Sequence, residues 1–320
     1  GEMTVTGCLD MSWISLGGVV ADTGNPIGMG SNLTCKGSGE LDNGWTFDLT
    51  VAMLSQDAYS STAIKIDMGG LGVLNLNQGD SGNGIDAFDD KMPTAWEESW
   101  FGIGGGPDRT GASAGTSLRW QSAADMLPYG ITLYAYYNPE VGAANSGSSA
   151  AAASATTATG SATEFALQMA PIDGLDIGVA RATIQNKGEG STTTWSNDIE
   201  QMVGYVKYTL GSVTLGYGQT YENPGFRVAG TVEAYENTMW GVSFAVNDNL
   251  TVSYGEMESE KDMSQSASVN VTMETEGFSV SYNLGGATLK IAHNELTNVN
   301  YLSTTGQSDE VTALELSLAF

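Results

Sequence analysis

Carboxylates are the reactive groups this chain has in quantity: Asp and Glu number 37 against 11 Lys and Arg, with one His and two Cys. They are densest between Gly79 and Thr116, where Asp80, Asp86, Asp89, Asp90, Glu97, Glu98 and Asp108 are accompanied only by Lys91 and Arg109. Carboxylates at this density can hold a divalent metal, work as an acid and base pair, or create a field that attracts cations. Spacing argues against the metal. From Asp80 to Asp86 oxygen side chains mix with Gly as calcium loops do, yet counting from Asp80 the sixth position is Ile85 and the twelfth is Lys91, where an EF-hand needs Gly and a bidentate Glu. A flexible acidic loop is the favoured reading, with calcium at Asp80 and Asp86 the lesser alternative and no other cofactor expected. Catalysis lacks partners: the single histidine, His293, shares its parity with Leu289 and Ile291 and reads as an outward residue, and no nucleophile, base and orienter can be assembled. No enzyme is expected. A field remains, and its strength depends on the elements that hold these acids.

The formal charge of −26 excludes a nucleic-acid partner, since such a surface repels phosphate. Disorder is excluded by 41% hydrophobic residues together with 7 Trp, 13 Tyr and 8 Phe. No apolar run approaches the ~18 to 20 residues of a membrane-spanning helix. The chain starts at Gly1 with no charged and apolar leader segments, and so reads as a processed product.

Helical periodicity is nearly absent and alternation at two is everywhere. Met3, Val5, Leu9, Met11 and Trp13 share one face of the opening segment. Leu314, Leu316, Leu318 and Phe320 share one face of the last, and Trp45, Phe47, Leu49, Val51 and Met53 alternate in the same way. Tight turns occur at Asp42-Asn43-Gly44, Gly70-Leu71-Gly72, Leu127-Pro128-Tyr129-Gly130, Ile172-Asp173-Gly174, Gly211-Ser212, Asn247-Asp248-Asn249 and Gly285-Gly286. Between them lie polar connections: Ser15 to Pro26, Asp57 to Ser60, Gly79 to Thr116, Asn138 to Ala162, Ile184 to Asn197, Tyr221 to Ala234, Glu256 to Gln265 and Thr297 to Asp309. Strict alternation of short and long connections puts all short ones at one end of an up-and-down sheet, and the number of connections requires an even count of about sixteen strands. A sandwich with Greek-key crossovers would mix the lengths. Strands of about ten residues tilted roughly 45° span the ~25 Å apolar band of an outer membrane. Trp45, Tyr208 and Phe320 near the short-turn end and Trp13, Tyr217 and Tyr254 near the loop end are placed for two aromatic girdles.

These residues resemble a family, the 16-stranded, usually trimeric general porins of Gram-negative bacteria, and in particular their alphaproteobacterial members. The segments that carry the resemblance are Glu2-Met3-Thr4-Val5-Thr6-Gly7, the hairpin from Gly39 to Phe47, and the final strand ending in Phe320. It implies an all-β, 16-stranded antiparallel transmembrane barrel with residues 1–320 as a single domain, a homotrimer among outer-membrane lipid, and passage of small hydrophilic solutes and cations. It also implies that the third connection, by far the longest, folds into the barrel and narrows it. Asp80, Asp86, Asp89, Asp90, Glu97 and Glu98 then become constriction acids, facing basic residues on the opposite wall. The connection from Asp57 to Ser60 is too short to latch onto a neighbouring subunit as it does in some relatives.

Strand parity turns Lys36, Lys65, Arg119, Asp10, Asp48 and Asp67 inward. Lys207 and Lys290 also point inward, but near tight turns and away from the narrowest section. The outward faces read as almost free of charge, with Arg181 the unexplained exception. Inward bases are few beside the acids, so a cation-preferring, water-filled pore is expected. A substrate-selective channel and a surface adhesion barrel that uses its eight loops, including the Ala-, Ser- and Thr-rich Ser146 to Gly160, are the alternatives. Cys8 and Cys35 lie on adjacent strands but on opposite faces, so a disulfide between them requires a bulge that shifts the register. Bonded and free states are left open.

Overall fold

The computed structural model describes residues 2–18, 24–55, 57–79, 84–102, 111, 115–141, 159–186, 197–225, 230–263, 270–302 and 307–319. Sixteen antiparallel strands close into one barrel, each paired with its sequence neighbours and the last with the first. They are β1 (Glu2–Gly18), β2 (Ile27–Glu40), β3 (Thr46–Leu54), β4 (Asp57–Asp67), β5 (Val73–Gln78), β6 (Thr116–Gln121), β7 (Thr132–Asn138) and β8 (Thr159–Met169) in the first half. The second half has β9 (Leu175–Asn186), β10 (Ile199–Leu210), β11 (Val213–Asn223), β12 (Val232–Asn247), β13 (Leu250–Met263), β14 (Val271–Asn283), β15 (Ala287–Thr297) and β16 (Ser308–Ala319). The seven short turns all join strands at one end, and local chemistry explains them. Asn43 Oδ1 accepts the Trp45 amide at 3.2 Å, Asn247 Oδ1 accepts that of Asn249 at 2.9 Å, and Asn283 Oδ1 accepts that of Gly285 at 2.8 Å. Phe320 and the loop residues Asp80, Asp108 and Arg109 lie outside the described residues, as does the Ser146 to Gly160 segment up to Thr159.

Alternation puts the aliphatic set outside, where lipid rather than a core receives it. Met3, Met11, Met29, Val51 and Leu215 are all exposed. The buried core instead lies inside the barrel, beneath the third connection. Ile85, Phe88, Met92 and Trp100 of that connection pack on Ala166, Ala180, Ala182, Val203, Tyr205, Met239, Met257 and Met273 of the wall. The wall is paved with small residues there. A methyl group on Gly216 would overlap Pro93, and one on Gly218 would stand 2.9 Å from Met92 Cε, so the loop can lie flat only over glycine.

The structure changes three readings of the sequence. The outward faces are not almost free of charge: β13 continues to Met263, past the point where Glu256 was expected to leave the sheet. Glu256, Glu258 and Glu260 therefore keep the outward parity of Val252 and Tyr254. A register row runs Glu256, Glu276, Glu295, Glu310 across β13 to β16. Like charges directly opposite one another repel, and such a row is stable only beyond the hydrocarbon, in water or the headgroup layer. Trp240 Nε1 donates to Glu256 Oε2 at 3.1 Å, and Tyr254 donates to Glu256 and Glu276 at 2.8 Å, which marks the upper edge of the apolar band. Arg181 is explained by Glu200, its partner at 2.7 Å on the same outward face. The possible Cys8 to Cys35 disulfide is absent and both thiols are free. The pairing of β1 with β2 is unbroken, setting Cys8 opposite Asn32 and Cys35 opposite Val5, so no bulge brings the two to one face.

Gly216→Leu should displace Met92 and Pro93 and lower stability by ~1 to 3 kcal/mol, the range for overpacked sites. Gly286→Ala, at a turn position with nothing within 4 Å, should be close to neutral. Thermal unfolding of the two variants in detergent checks this.

Candidate functional site

The third connection has no strand partner, so its main-chain groups must be satisfied by inward side chains of the wall. Glu164 on β8 does this at the start: its Oε2 accepts the Ile85 amide at 2.7 Å and its side chain is buried. Side chains at Gly84 or Gly111 would overlap the same carboxylate, and both residues have positive φ, so Glu164 is clasped by both limbs of the loop. Gln201 on β10 takes the Gly111 amide at 2.9 Å. After a single helical turn, α1 (Asp86–Asp89), Phe88 sets its ring against Tyr134 and Tyr205.

Further along, three hydroxyls make a clamp. Ser253 and Ser279 stand 2.7 Å apart on β13 and β14, and Thr94 lies 3.0 Å from Ser279. Ser253 accepts the Ala95 amide at 2.8 Å and Ser279 accepts that of Trp96 at 3.0 Å. Thr275 donates to Ser99, and Asn294 donates to the carbonyls of Glu98 and Phe101 at 3.0 and 3.2 Å. The described part of the loop thus follows the inner wall from β8 to β16, where Gly102 meets Val311.

This course decides what the loop acids face. Asp90 is exposed, Asp86, Glu97 and Glu98 are half-buried, and Asp89 is 3% exposed and so does not face the lumen. Glu97 is flanked by Glu315, Lys290 and Asp90, and its carboxyl is pushed above the usual range, first by burial and then by Glu315 and Asp90, against the opposing effect of Lys290. Among the described residues no group of three or more acidic, His or Cys side chains is placed to hold a metal, and Asp80 of the calcium reading is outside them.

The bases are placed as parity requires, with one correction. A single inward register row passes through Ser38, Asp48, Lys65, Asn75, Arg119, Tyr136 and Glu164, and so runs from β2 round to the loop's anchor on β8. Lys36 is two residues from Ser38 on the same face of β2, and Asp67 two residues from Lys65 on β4. Arg119 lies over Tyr134, whose ring meets Phe88 of the loop. Asp10 accepts hydrogen bonds from Ser317 and Cys8 on the same inward face. Lys207 is near Asp176, 3.7 Å away, as its place by a turn suggests. Lys290 is not remote: it pairs with Glu315 at 2.7 Å and stands 5.7 Å from the Trp96 ring, against the loop itself. Distance from a turn failed as a guide here because the loop follows the wall down to Lys290.

Sequence reasoning that counted only charges missed Glu164, Gln201, Ser253, Ser279 and Asn294. Their signal was inward parity combined with glycines at 216, 218, 241 and 255, a small and polar face made for another chain segment.

A closed barrel with a loop laid against its inner wall defines an architecture, and it recurs among solved structures. The fold is similar over 99% of this chain to Salmonella typhi OmpF, solved with daunomycin, with 97% of that chain covered, 13% identity and a TM-score of 0.73. It is similar to an anion-selective porin from Comamonas acidovorans at 13% identity and a TM-score of 0.69, covering 100% of this chain and 99% of that one. A porin variant from Rh. blastica gives 12% identity and a TM-score of 0.60 over both whole chains. No protein-family model and no curated protein matches the sequence. At such identities the likeness shows the fold, a 16-stranded porin-type barrel.

The double substitution of Ser253 and Ser279 by Ala removes the acceptor of the Ala95 amide and the nearer acceptor of the Trp96 amide, which keeps Thr94 Oγ1 at 3.3 Å. At about 1 kcal/mol per hydrogen bond, exchange of the Ala95 and Trp96 amide hydrogens should quicken by roughly tenfold or more while the barrel strands stay protected. Unchanged exchange at those two amides would show that the loop is held by other contacts.

Proposed function

We propose that this protein is a passive diffusion pore in the outer membrane of a Gram-negative bacterium, passing small hydrophilic solutes and preferring cations. The observation that carries this reading is the loop held along the inner wall from β8 to β16. On this reading the loop narrows the lumen, and Asp90, Glu97 and Glu98 on it oppose Lys36, Lys65 and Arg119 on the remaining wall. Sieving follows from the loop, and selection from the acids, whose field is focused by low-dielectric walls. Fold alone does not set the sign of selection, since a barrel of the same architecture is described as anion-selective. The sign comes from the charges: 37 acids outnumber 11 bases, and the inward Lys207 and Lys290 are each close to a carboxylate. The only histidine, His293, bonds Thr312 at 2.8 Å and packs on the exposed Phe278, which supports an outward, non-catalytic place.

A homotrimer fits the exterior. The described outward side chains of β1 to β8 carry no charge, even at their loop ends, whereas β13 to β16 carry the glutamate row. A sector uncharged over its full height suits a subunit neighbour better than a lipid headgroup layer. The second connection, only Ser55 and Gln56, leaves no latch to reinforce it.

Reversal potential across a KCl gradient in a planar bilayer should show potassium preferred over chloride, and chloride preference would overturn the reading of the acids. Because the Glu97 carboxyl is raised, it takes up a proton ahead of ordinary carboxylates as pH falls. Cation preference should therefore begin to decline at a higher pH in the wild type than in Glu97→Gln, which should start lower and lack that step. Superimposable pH profiles would contradict this.

A further inference from the structure

The inward lysines differ in how they are neutralised. Lys207 is 3.7 Å from Asp176 and Lys290 is 2.7 Å from Glu315. Lys36 and Lys65 both adjoin Asp48, yet neither pairs with it. Asp48 stands directly opposite Lys65 across β3 and β4, and opposite Ser38 across β2 and β3, which makes it the diagonal neighbour of Lys36. Opposite charges at such cross-strand positions attract. Among the described residues, however, Lys36, Asp48 and Lys65 make no ion pair and no side-chain hydrogen bond. Three free charges on one patch of wall are therefore open to a visiting solute. Around two of them the wall forms a recess of about 350 Å³, lined chiefly by Lys36, Asp48 and the hydroxyl residues Thr4, Ser38 and Thr50. That is near the lower end of the ~300 to 1,000 Å³ of ligand pockets. Register places all of these side chains on the inward face: Thr4 is opposite Lys36, Lys36 opposite Thr50 and Ser38 opposite Asp48. Lys36, Ser38 and Asp48 are exposed.

We propose that this recess binds small zwitterionic solutes of the α-amino-acid class, with the carboxylate at Lys36, the ammonium at Asp48 and the three hydroxyls completing the hydrogen bonds. The order of charge on the wall, base on β2, acid on β3 and base on β4, sets the class. A purely cationic solute at Asp48 meets Lys36 and Lys65 on either side, and a purely anionic one meets Asp48 between the two lysines. A solute that carries both charges a few bonds apart gives each wall charge an opposite partner. The lining comes from three adjacent strands of the sixteen, so a solute held there lies beside the ion path and does not block it. The inference rests on the proposed diffusion pore, whose lumen brings solutes to this wall.

Saturation-transfer difference NMR of the full chain in detergent tests it, with four probes that share one skeleton: L-alanine, L-alaninamide with the ammonium only, L-lactate with the carboxylate only, and lactamide with neither. At equal concentration the methyl signal of alanine should exceed that of each other probe by about threefold or more, the effect of adding an exposed charge contact. Lys36→Gln should bring alanine down to the level of alaninamide, and Asp48→Asn to that of lactate, since each leaves one contact of the two. Both side chains are exposed and unpaired, so both variants should fold. Lys207→Gln, which removes an inward base on β10, should leave the alanine signal unchanged. Wild-type alanine equal to alaninamide overturns the proposal by making the wall part of a general cation field. Alanine equal to lactate overturns it by making the wall an anion site. A loss in Lys207→Gln as large as that in Lys36→Gln, or no loss in either recess variant, also overturns it. Bilayer conductance of the same chain decides the pore reading separately: a barrel that conducts but treats the four probes alike loses only this inference, and one that does not conduct loses the pore reading whatever the probes do.

Discussion

The interior of this barrel depends on how a long segment without strand partners satisfies its main chain. A closed sheet uses up its own amides and carbonyls, and only side chains remain to receive a visiting loop. The wall supplies them round the ring: Glu164 at the entry, Ser253 and Ser279 at the middle, Asn294 on the far side, and Gln201 where Gly111 has come back to β10. Each is fixed by sheet register, so the loop inherits the rigidity of the strands. The methionines at 239, 257 and 273 fill the irregular gaps beneath it, as an unbranched and polarisable side chain can.

That attachment has an electrostatic consequence. Pressing the loop onto the wall buries Asp89 and partly desolvates Glu97, so the acids that share one stretch of sequence do not share one environment. Asp90 stays exposed and Glu97 and Glu98 half-buried, with Lys290 beside Glu97 as a local counterweight. The two sides of the barrel also differ outside, where one half is uncharged from end to end and the other ends in glutamates above Trp240 and Tyr254. One wall thus presents a loop and its acids to the interior and two different surfaces to its surroundings.

Much of the fold could be read from the sequence because turns and strands are local. Asn43, Asn247 and Asn283 announce their turns by chemistry confined to two or three residues, and alternation at two fixes the inward set that includes Lys36, Lys65 and Arg119. Strand ends were less legible. Glu256 looked like the start of a polar loop because hydropathy falls there, whereas the ladder continues to Met263 and the fall records the membrane edge instead. The site was half legible for a related reason. Acids advertise themselves by charge, but Glu164, Ser253 and Asn294 act through register with a segment many residues away, and no local pattern reports that. Parity also showed why Cys8 and Cys35 stay apart, since it keeps them on opposite faces of an unbroken pair.

Single-channel conductance in a planar bilayer tests the central claim most directly, because a loop that narrows the lumen without closing it has one electrical signature. The account predicts a large ohmic conductance that rises in proportion to salt concentration and is not blocked by any one small solute. A conductance that saturates or is blocked by a single solute would contradict it in favour of a selective channel, and no conductance would contradict it altogether.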